Sequence, residues 1–266
     1  MNIDFANPCL RVFEKAQYAL DFARGTVYMS AIQRYREKEQ QDSDIGDRYE
    51  GIRTVKAMLF LAPPDERLQA FPQSAFSAKP CQVDIPLRIP EVEESVLLCA
   101  TSLSEGALET IGAREGRYLA RFGRQYSGFL TRHTAGFTEG FGVIFSLDEM
   151  ALKLKEYARA NDFCMIHHKV EYGPLFLDST DAEELEEGCP PIYKYLFHKR
   201  GCAELDSGNE CGYADQFEYR FAVLPKPGDT SGRLRGMLND KQFLVANVGP
   251  LQHYQLVYFD EGIHTT

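Results

Sequence analysis

The sequence predicts an α+β fold, in which a single domain spanning residues 1–266 contains a mixed, curved β-sheet flanked by helices. Seven or eight short apolar segments have the length or the period-two alternation of strands. Four or five amphipathic or charged segments between them favour helix. The hydrophobic content of 44% is enough for a buried core in a chain of this size.

The first third of the chain begins with a predicted helix. Residues 10–24 mix apolar and charged side chains, and Gly25 follows at the point where a helix would end. The same reasoning predicts the next elements at residues 26–30 (strand), 31–41 (charged helix), 42–51 (polar loop) and 54–61 (strand). Residues from about 62 to 90 are rich in proline and mixed in polarity, which indicates an extended insertion within the domain.

The middle of the chain carries its clearest helix signal at Ser146. This residue has the position of an N-cap, and Glu149 three residues later completes a capping box for a helix ending at Ala160. Elements predicted around it are at residues 96–101 (strand), 105–122 (helix), 140–146 (strand) and 163–172 (strand). Those predicted nearer the end of the chain are at residues 181–187 (acidic helix or loop), 192–199 (helix or aromatic strand), 201–212 (polar loop), 241–248 (strand) and 254–259 (strand).

Composition narrows the classes of function. A net charge of −10 argues against broad nonspecific binding of nucleic acid, which needs concentrated Lys and Arg. No apolar run reaches the roughly 18–20 residues that span a bilayer, and the first residues lack the features of a secretory signal. We therefore expect a cytoplasmic protein without a membrane partner. Its seven scattered cysteines are typical of reduced thiols, several of them in apolar runs.

The strongest candidate for a site is the strand predicted over residues 214–224. Aromatic and β-branched residues alternate there with polar ones, so Gln216, Glu218 and Arg220 share one face. A carboxylate on a strand is held rigidly, which suits chemistry. The alternative is structural, with Glu218 and Arg220 forming part of an ordinary charged strand face.

Several short motifs resemble an uncharacterised bacterial and phage-associated domain family related to abortive-infection (AbiGi-like) proteins. The resemblance rests on residues 27–30, 46–51, 141–145, 170–172 and 218–220, with an apolar strand that ends near Cys99 and Ser102. This chain has no tryptophan, whereas the family often has one before the glycine-led strand and one before the Glu-Tyr-Arg strand. The resemblance implies a phage- or defence-associated effector and brings no established activity.

A mechanistic resemblance to ADP-ribosyltransferases adds a possible reaction. Those enzymes have a basic residue, then a Ser or Tyr, then a late Gln-x-Glu, and Arg11, Ser30 and Glu218 occur here in that order. The resemblance implies NAD as the cofactor and a protein or nucleic-acid acceptor. It assigns catalysis to Glu218, Gln216 and Ser30, with Gln216 facing the acceptor. It assigns NAD binding to Arg11, Tyr28 and Arg220.

Two further hypotheses come from other classes of protein. A non-enzymatic phage or host interaction protein would present an acidic surface, for which residues 181–187 are suited. A metal-dependent nuclease or phosphatase would bring Asp47, Glu50 and Glu218 around one ion. The histidines and cysteines have no compact zinc-binding spacing, so no metal site is predicted from them.

Overall fold

A computed structural model describes residues 5–39, 53–59, 81–114, 117–126, 130, 140–173, 196–200 and 217–259. The helices are α1 (Ala16–Ala23), α2 (Ile32–Glu39), α3 (Pro90–Glu93), α4 (Leu147–Ala160) and α5 (Arg233–Gly236), with a 3₁₀ turn at Arg124–Tyr126. The strands are β1 (Pro8–Phe13), β2 (Thr26–Ala31), β3 (Arg53–Leu59), β4 (Cys81–Leu87), β5 (Val96–Ser102), β6 (Leu108–Arg114), β7 (Arg117–Phe122), β8 (Gly140–Ser146), β9 (Cys164–Lys169), β10 (Glu171–Gly173), β11 (His198–Arg200), β12 (Glu218–Leu224), β13 (Phe243–Asn247) and β14 (Tyr254–Phe259).

An eight-stranded sheet organises the fold, and helices flank it. The strand order is β13-β2-β5-β1-β8-β14, with β12 and then β9 on the other edge of β5. The described pairings in this sheet are antiparallel, while the short β10–β11 pair is parallel. The α+β prediction is confirmed.

Strand β5 is the centre of the sheet because two strands share one of its edges. Strand β2 pairs at the beginning of β5, where Ser30 lies opposite Leu97. Strand β1 pairs at its end, where Leu10 lies opposite Thr101. Residues 98–100 fall between the two pairings, so β1 and β2 diverge there and the sheet splits.

The two faces of the sheet have different covers. The first face packs against α1 and α4 through side chains such as Phe22, Met150 and Leu154. The second face carries two separate apolar clusters. One contains Ile32 of α2 with Leu196 and Phe197, and the other contains residues near the paired strands β6 and β7, including Tyr126, Leu130 and Phe259.

The predicted helix after Ser146 is confirmed to the residue. Helix α4 spans Leu147–Ala160, and the backbone N–H of Glu149 donates to the Ser146 hydroxyl at 3.4 Å. The Glu149 carboxylate binds elsewhere: it accepts from the backbone N–H groups of Gln252 at 2.7 Å and His253 at 2.9 Å. The helix start thus anchors the chain just before β14.

One predicted helix is only partly confirmed, and a second is wrong. Residues 8–13 form β1 rather than the start of a helix, which places Arg11 on a strand; only residues 16–23 are helical. Residues 108–114 and 117–122 instead form the paired strands β6 and β7, with a register shift between Thr110 and Gly112. In both segments the apolar spacing suits a helix, but pairing with neighbouring strands decides the structure.

The remaining predictions agree where the structure describes them. The strands predicted at 26–30, 96–101, 140–146 and 254–259 are present, and that at 241–248 is β13. Residues 81–87, which lie in the segment predicted as a proline-rich insertion, form β4, which pairs with β3. The predicted segments at 42–51, 181–187 and 201–212 lie outside the described residues. Among the described helices, none is long and apolar enough to cross a membrane.

Candidate functional site

The guanidinium of Arg11 lies at the split between β1 and β2. It donates to the carbonyl oxygen of Cys99 on β5 at 3.1 Å and to that of Tyr28 on β2 at 3.4 Å. The guanidinium carbon also lies 5.8 Å from the ring centroids of Phe13 and Phe22. Arg11 therefore bridges the two strands with hydrogen bonds at the place where the ladder between them is interrupted.

Tyr35 reaches the same place from helix α2. Its hydroxyl lies 3.2 Å from the Cys99 sulfur atom. Burial raises the pKa of Tyr35 well above its ordinary value; Cys99 and Glu218 act in the same direction, and Arg11 opposes them. Burial lowers the pKa of Arg11, whereas Tyr35 and Cys99 raise it. Arg11, Tyr35, Cys99 and Glu218 thus form one electrostatic group, which we call the split cluster.

Glu218 is held by a buried ion pair within β12. The Arg220 Nε donates to the Glu218 carboxylate at 2.7 Å, and another guanidinium nitrogen donates to the carbonyl oxygen of Leu196 at 2.6 Å. Arg220 has no exposed surface and Glu218 has 6%. Burial of an ion pair carries a large desolvation cost, which is offset only where the two groups are well hydrogen-bonded. These hydrogen bonds fix both side chains in place.

Register places this pair beside Thr101 and Cys99, on the opposite edge of β5 from Arg11. Glu218 lies opposite Thr101 and Arg220 opposite Cys99 across the β12–β5 ladder. These residues lie on the second face, between its two apolar clusters. Phe217, directly before Glu218, packs against Tyr126 with ring centroids 5.1 Å apart. The polar side chains therefore have an apolar cluster on either side, in surroundings that strengthen electrostatic interactions.

The structure brings together some of the predicted site residues and separates one. Arg11 contacts β5 at Cys99 on the edge where β1 and β2 diverge, and Tyr28 accepts there through its backbone carbonyl, whereas Glu218 and Arg220 lie on the strand that pairs with the other edge of β5. Ser30 lies opposite Leu97, four positions along β5 from the residue that pairs with Glu218. Four strand residues correspond to about 13 Å, so Ser30 and Glu218 do not line one point.

Other predicted residues lie outside the described part of the chain. These are Gln216, Asp47 and Glu50. Neither the face shared by Gln216 and Glu218 nor the proposed carboxylate metal site is therefore described. Within the described ranges, no group of three or more His, Cys, Asp or Glu side chains is arranged to hold a metal ion.

The sequence does not connect two members of the split cluster, Tyr35 and Cys99, to Arg11 and Glu218. Tyr35 was part of a charged helical segment, and nothing in its spacing connects it to residue 99. Cys99 lies in an apolar run, which is typical of a buried thiol, but it is half-buried and contacts the Tyr35 hydroxyl. The alternation of side chains along β5 places Cys99 on the same face as Leu97. Which side chains contact Cys99, however, depends on pairing between strands that are far apart in the sequence.

Comparison with family models, with curated proteins and with solved structures finds no match for this chain. The resemblances to the abortive-infection family and to ADP-ribosyltransferases therefore stay predictions. The geometry of the site does not depend on these resemblances. It groups a fixed carboxylate, that of Glu218, and a cation, Arg11, around β5 where the antiparallel sheet splits.

Proposed function

We propose that this chain is an ADP-ribosyltransferase-like enzyme that acts on NAD in a phage- or defence-associated setting. The observation that carries the proposal is the split cluster, in which the Arg11 guanidinium and the Tyr35 hydroxyl both contact Cys99, and Glu218 and its partner Arg220 lie on the strand paired with this part of β5. The order of elements supports it as well. Arg11 is on the first strand, Tyr28 is on the second and Glu218 is on a late strand.

Glu218 is the catalytic carboxylate in this proposal. When the bond between the nicotinamide nitrogen and the ribose carbon breaks, nicotinamide leaves with the electron pair and positive charge develops on the ribose. A fixed anion stabilises that charge without reorganising during the reaction. The hydrogen bond that Arg220 donates at 2.7 Å holds the Glu218 carboxylate in place. The acceptor oxygen then bonds to the ribose carbon, and its proton leaves to solvent or to a base.

The roles of the other residues follow from their positions. Arg11 supplies positive charge for the diphosphate, while its existing hydrogen bonds hold the guanidinium at the split. Tyr28 has an exposed ring that is available to a base. The hydroxyl of Tyr35 orients the ribose and takes the catalytic place that the resemblance assigns to Ser30, because Ser30 is about 13 Å along the strand from Glu218.

NAD must be able to reach the Glu218 carboxylate for this reaction to occur. The carboxylate is 6% exposed, whereas Tyr35 and Cys99 are half-buried. NAD must therefore enter beside Tyr35 and Cys99, where β1 and β2 diverge. Binding there stabilises the folded chain, and at a hundredfold excess over the dissociation constant the gain is about 2.7 kcal/mol.

The test is nicotinamide release from NAD by the wild type, with and without a cell lysate as the source of acceptor. Glu218→Gln keeps an oxygen for Arg220 but removes the charge, and Tyr35→Phe removes one hydroxyl. Glu93→Gln is the matched control, since Glu93 forms an ion pair of 2.7 Å with Arg36 and is also largely buried.

We expect release by the wild type and by Glu93→Gln, and loss of at least a hundredfold in Glu218→Gln. Thermal melting of each variant separates loss of activity from loss of folding. If the wild type neither releases nicotinamide nor melts at a higher temperature with NAD, the enzymatic proposal is wrong. The alternative, a protein that acts by binding alone, would then be the better account.

A further inference from the structure

An aromatic patch lies on the second face of the sheet, where β2 pairs with the border strand β13. Val27 and Met29 of β2 point into the core of the first face, so Tyr28 between them points to the second face. Tyr28 lies opposite Val245 of β13, and the two side chains are 40% and 43% exposed. The Tyr28 ring contacts that of Phe243 edge to face, with centroids 6.2 Å apart. Such a contact covers at most one face of the tyrosine ring, which is therefore accessible to a ligand.

Arg34 of α2 stacks on the same patch. Its guanidinium carbon lies 4.2 Å from the centroid of the Phe243 ring, and one guanidinium nitrogen donates to the carbonyl oxygen of Lys241 at 2.6 Å. No carboxylate among the described residues pairs with Arg34, whereas the next arginine of the helix, Arg36, pairs with Glu93 at 2.7 Å. Arg34 thus keeps its positive charge for an anion.

A tight turn before β13 holds the Phe243 ring in place. The Asn239 side chain accepts hydrogen bonds of 3.0 Å from the backbone N–H groups of Lys241 and Phe243. The backbone N–H of Asn239 donates in return to the carbonyl oxygen of Phe243 at 2.9 Å. The four side chains that form the patch, which we call the aromatic platform, are Tyr28, Arg34, Phe243 and Val245. They are in position before a ligand binds, which lowers the cost of ordering them.

The chemistry of the aromatic platform suits a nucleotide. Nucleobases stack on exposed aromatic side chains, and a guanidinium donates charge-assisted hydrogen bonds to phosphate. Because Tyr28 and Arg34 contact the same phenylalanine ring, they are close enough to bind the base and the 5′-phosphate of one nucleotide. The net charge of −10 opposes binding of a long polyanion, which favours a small nucleotide over a nucleic acid.

We propose that the aromatic platform binds a purine nucleoside 5′-phosphate, with the base on Tyr28 and the phosphate at Arg34. A purine stacks more strongly than a pyrimidine because its ring system is larger. The platform adjoins the split cluster, since the carbonyl oxygen of Tyr28 accepts from Arg11. The adenosine phosphate half of NAD has this chemistry, and so does free AMP. That NAD is the source rests on the proposed function, whereas binding of AMP does not require it.

Ligand-observed NMR titrations of the full chain with AMP and with adenosine test the proposal. The wild type should bind AMP at least tenfold more tightly than adenosine, which lacks the phosphate, and Arg34→Gln should remove this difference. Tyr28→Leu should weaken the binding of both ligands at least fivefold, whereas Tyr28→Phe, which keeps the ring, should bind them as the wild type does. The matched control is Tyr254→Leu, since Tyr254 is 41% exposed on another strand.

Thermal melting shows whether each variant is folded. No binding of AMP, equal affinities of the wild type for AMP and adenosine, or equal weakening by Tyr28→Leu and Tyr254→Leu would overturn the proposal.

Competition identifies the source of the nucleotide. NAD should displace AMP from the aromatic platform, whereas nicotinamide mononucleotide, which lacks the adenine, should not. If NAD does not displace AMP, a free nucleotide is the ligand. Binding of AMP without nicotinamide release would refute the proposed enzyme and support the platform. Nicotinamide release without binding of AMP would refute the platform alone.

Discussion

The Arg11 guanidinium donates a hydrogen bond of 3.1 Å to the Cys99 carbonyl oxygen, where a neighbouring strand would otherwise complete the ladder. The second hydrogen bond, to Tyr28, joins β2 to the same guanidinium. One side chain therefore connects three strands. This arrangement has a measurable consequence for stability, whatever the chemistry of the site.

Replacing Arg11 with Met should lower the free energy of unfolding by about 1–3 kcal/mol, because two backbone carbonyls lose a donor. Urea unfolding measures the change. The control is Arg121→Met, since Arg121 is exposed and pairs with an equally exposed Glu109, and its effect should stay below about 0.5 kcal/mol. Equal losses in the two variants would contradict the bridging role of Arg11.

The effects of Glu218 and Arg220 on the free energy of unfolding should be strongly coupled. Glu218→Leu leaves a fully buried guanidinium without its carboxylate and should cost about 3–5 kcal/mol. Combining it with Arg220→Leu should cost clearly less than the sum of the two single changes. A double-mutant cycle by chemical denaturation measures this difference. Additive single effects would mean that the ion pair contributes little to the fold.

Glu149 should make the stability depend on pH in the acid range. Burial opposes its ionisation, but the backbone N–H groups of Gln252 and His253, the His253 side chain and Lys153 outweigh burial, so the pKa of Glu149 is lowered. Its contribution is complete above the ordinary glutamate pKa of about 4.3 and is lost as the pH falls through the lower, folded-state value.

The free energy of unfolding, measured between about pH 2 and pH 6, should therefore change more steeply with pH for the wild type than for Glu149→Gln. Since Glu149 anchors the segment before β14, the variant should also show faster hydrogen exchange in β14 at neutral pH. Parallel pH profiles for the two proteins would show that this carboxylate is not coupled to folding.

Cys9 should resist alkylation in the folded state. Burial, with a smaller contribution from Asp148, raises its pKa to about 12, and its side chain has no exposed surface. Because the thiolate is the reactive form, iodoacetamide at pH 8 should modify Cys9 only when the chain unfolds. Peptide mapping by mass spectrometry measures this, with the half-buried Cys164 as the internal reference. Equal rates at both cysteines would be inconsistent with the described core.

The sequence predicts best those elements whose signals are local. Strand β8 and helix α4 are predicted to the residue, because the glycine-led apolar run and the Ser146 cap both act within a few positions. The sequence of β1 predicts a helix because both faces of the strand are partly or fully buried, so Leu10 and Cys9 obscure the alternation that indicates a strand. Only pairing with β8 and β5, which lie far along the chain, makes residues 8–13 a strand.

The candidate site is harder to predict than the fold for the same reason. Glu218 and Arg220 share a strand face, and alternation alone identifies them. Their relation to Arg11, Cys99 and Tyr35 depends on which strands meet at β5. The separation of Ser30 from Glu218 likewise follows from register, which hydrophobic patterning of one strand does not determine.

Because β5 is central, one of its edges lacks its partner strand while the chain is being synthesised. Its partner β12 begins about 120 residues later in the chain, and a ribosome adding roughly 5–20 residues per second needs about 6–24 s to reach it. During that interval the nascent chain exposes one side of an apolar strand, Val-Leu-Leu-Cys-Ala-Thr-Ser, to other polypeptides. Expression at lower temperature, or together with a chaperone that shields extended segments, should therefore increase the soluble yield of this protein.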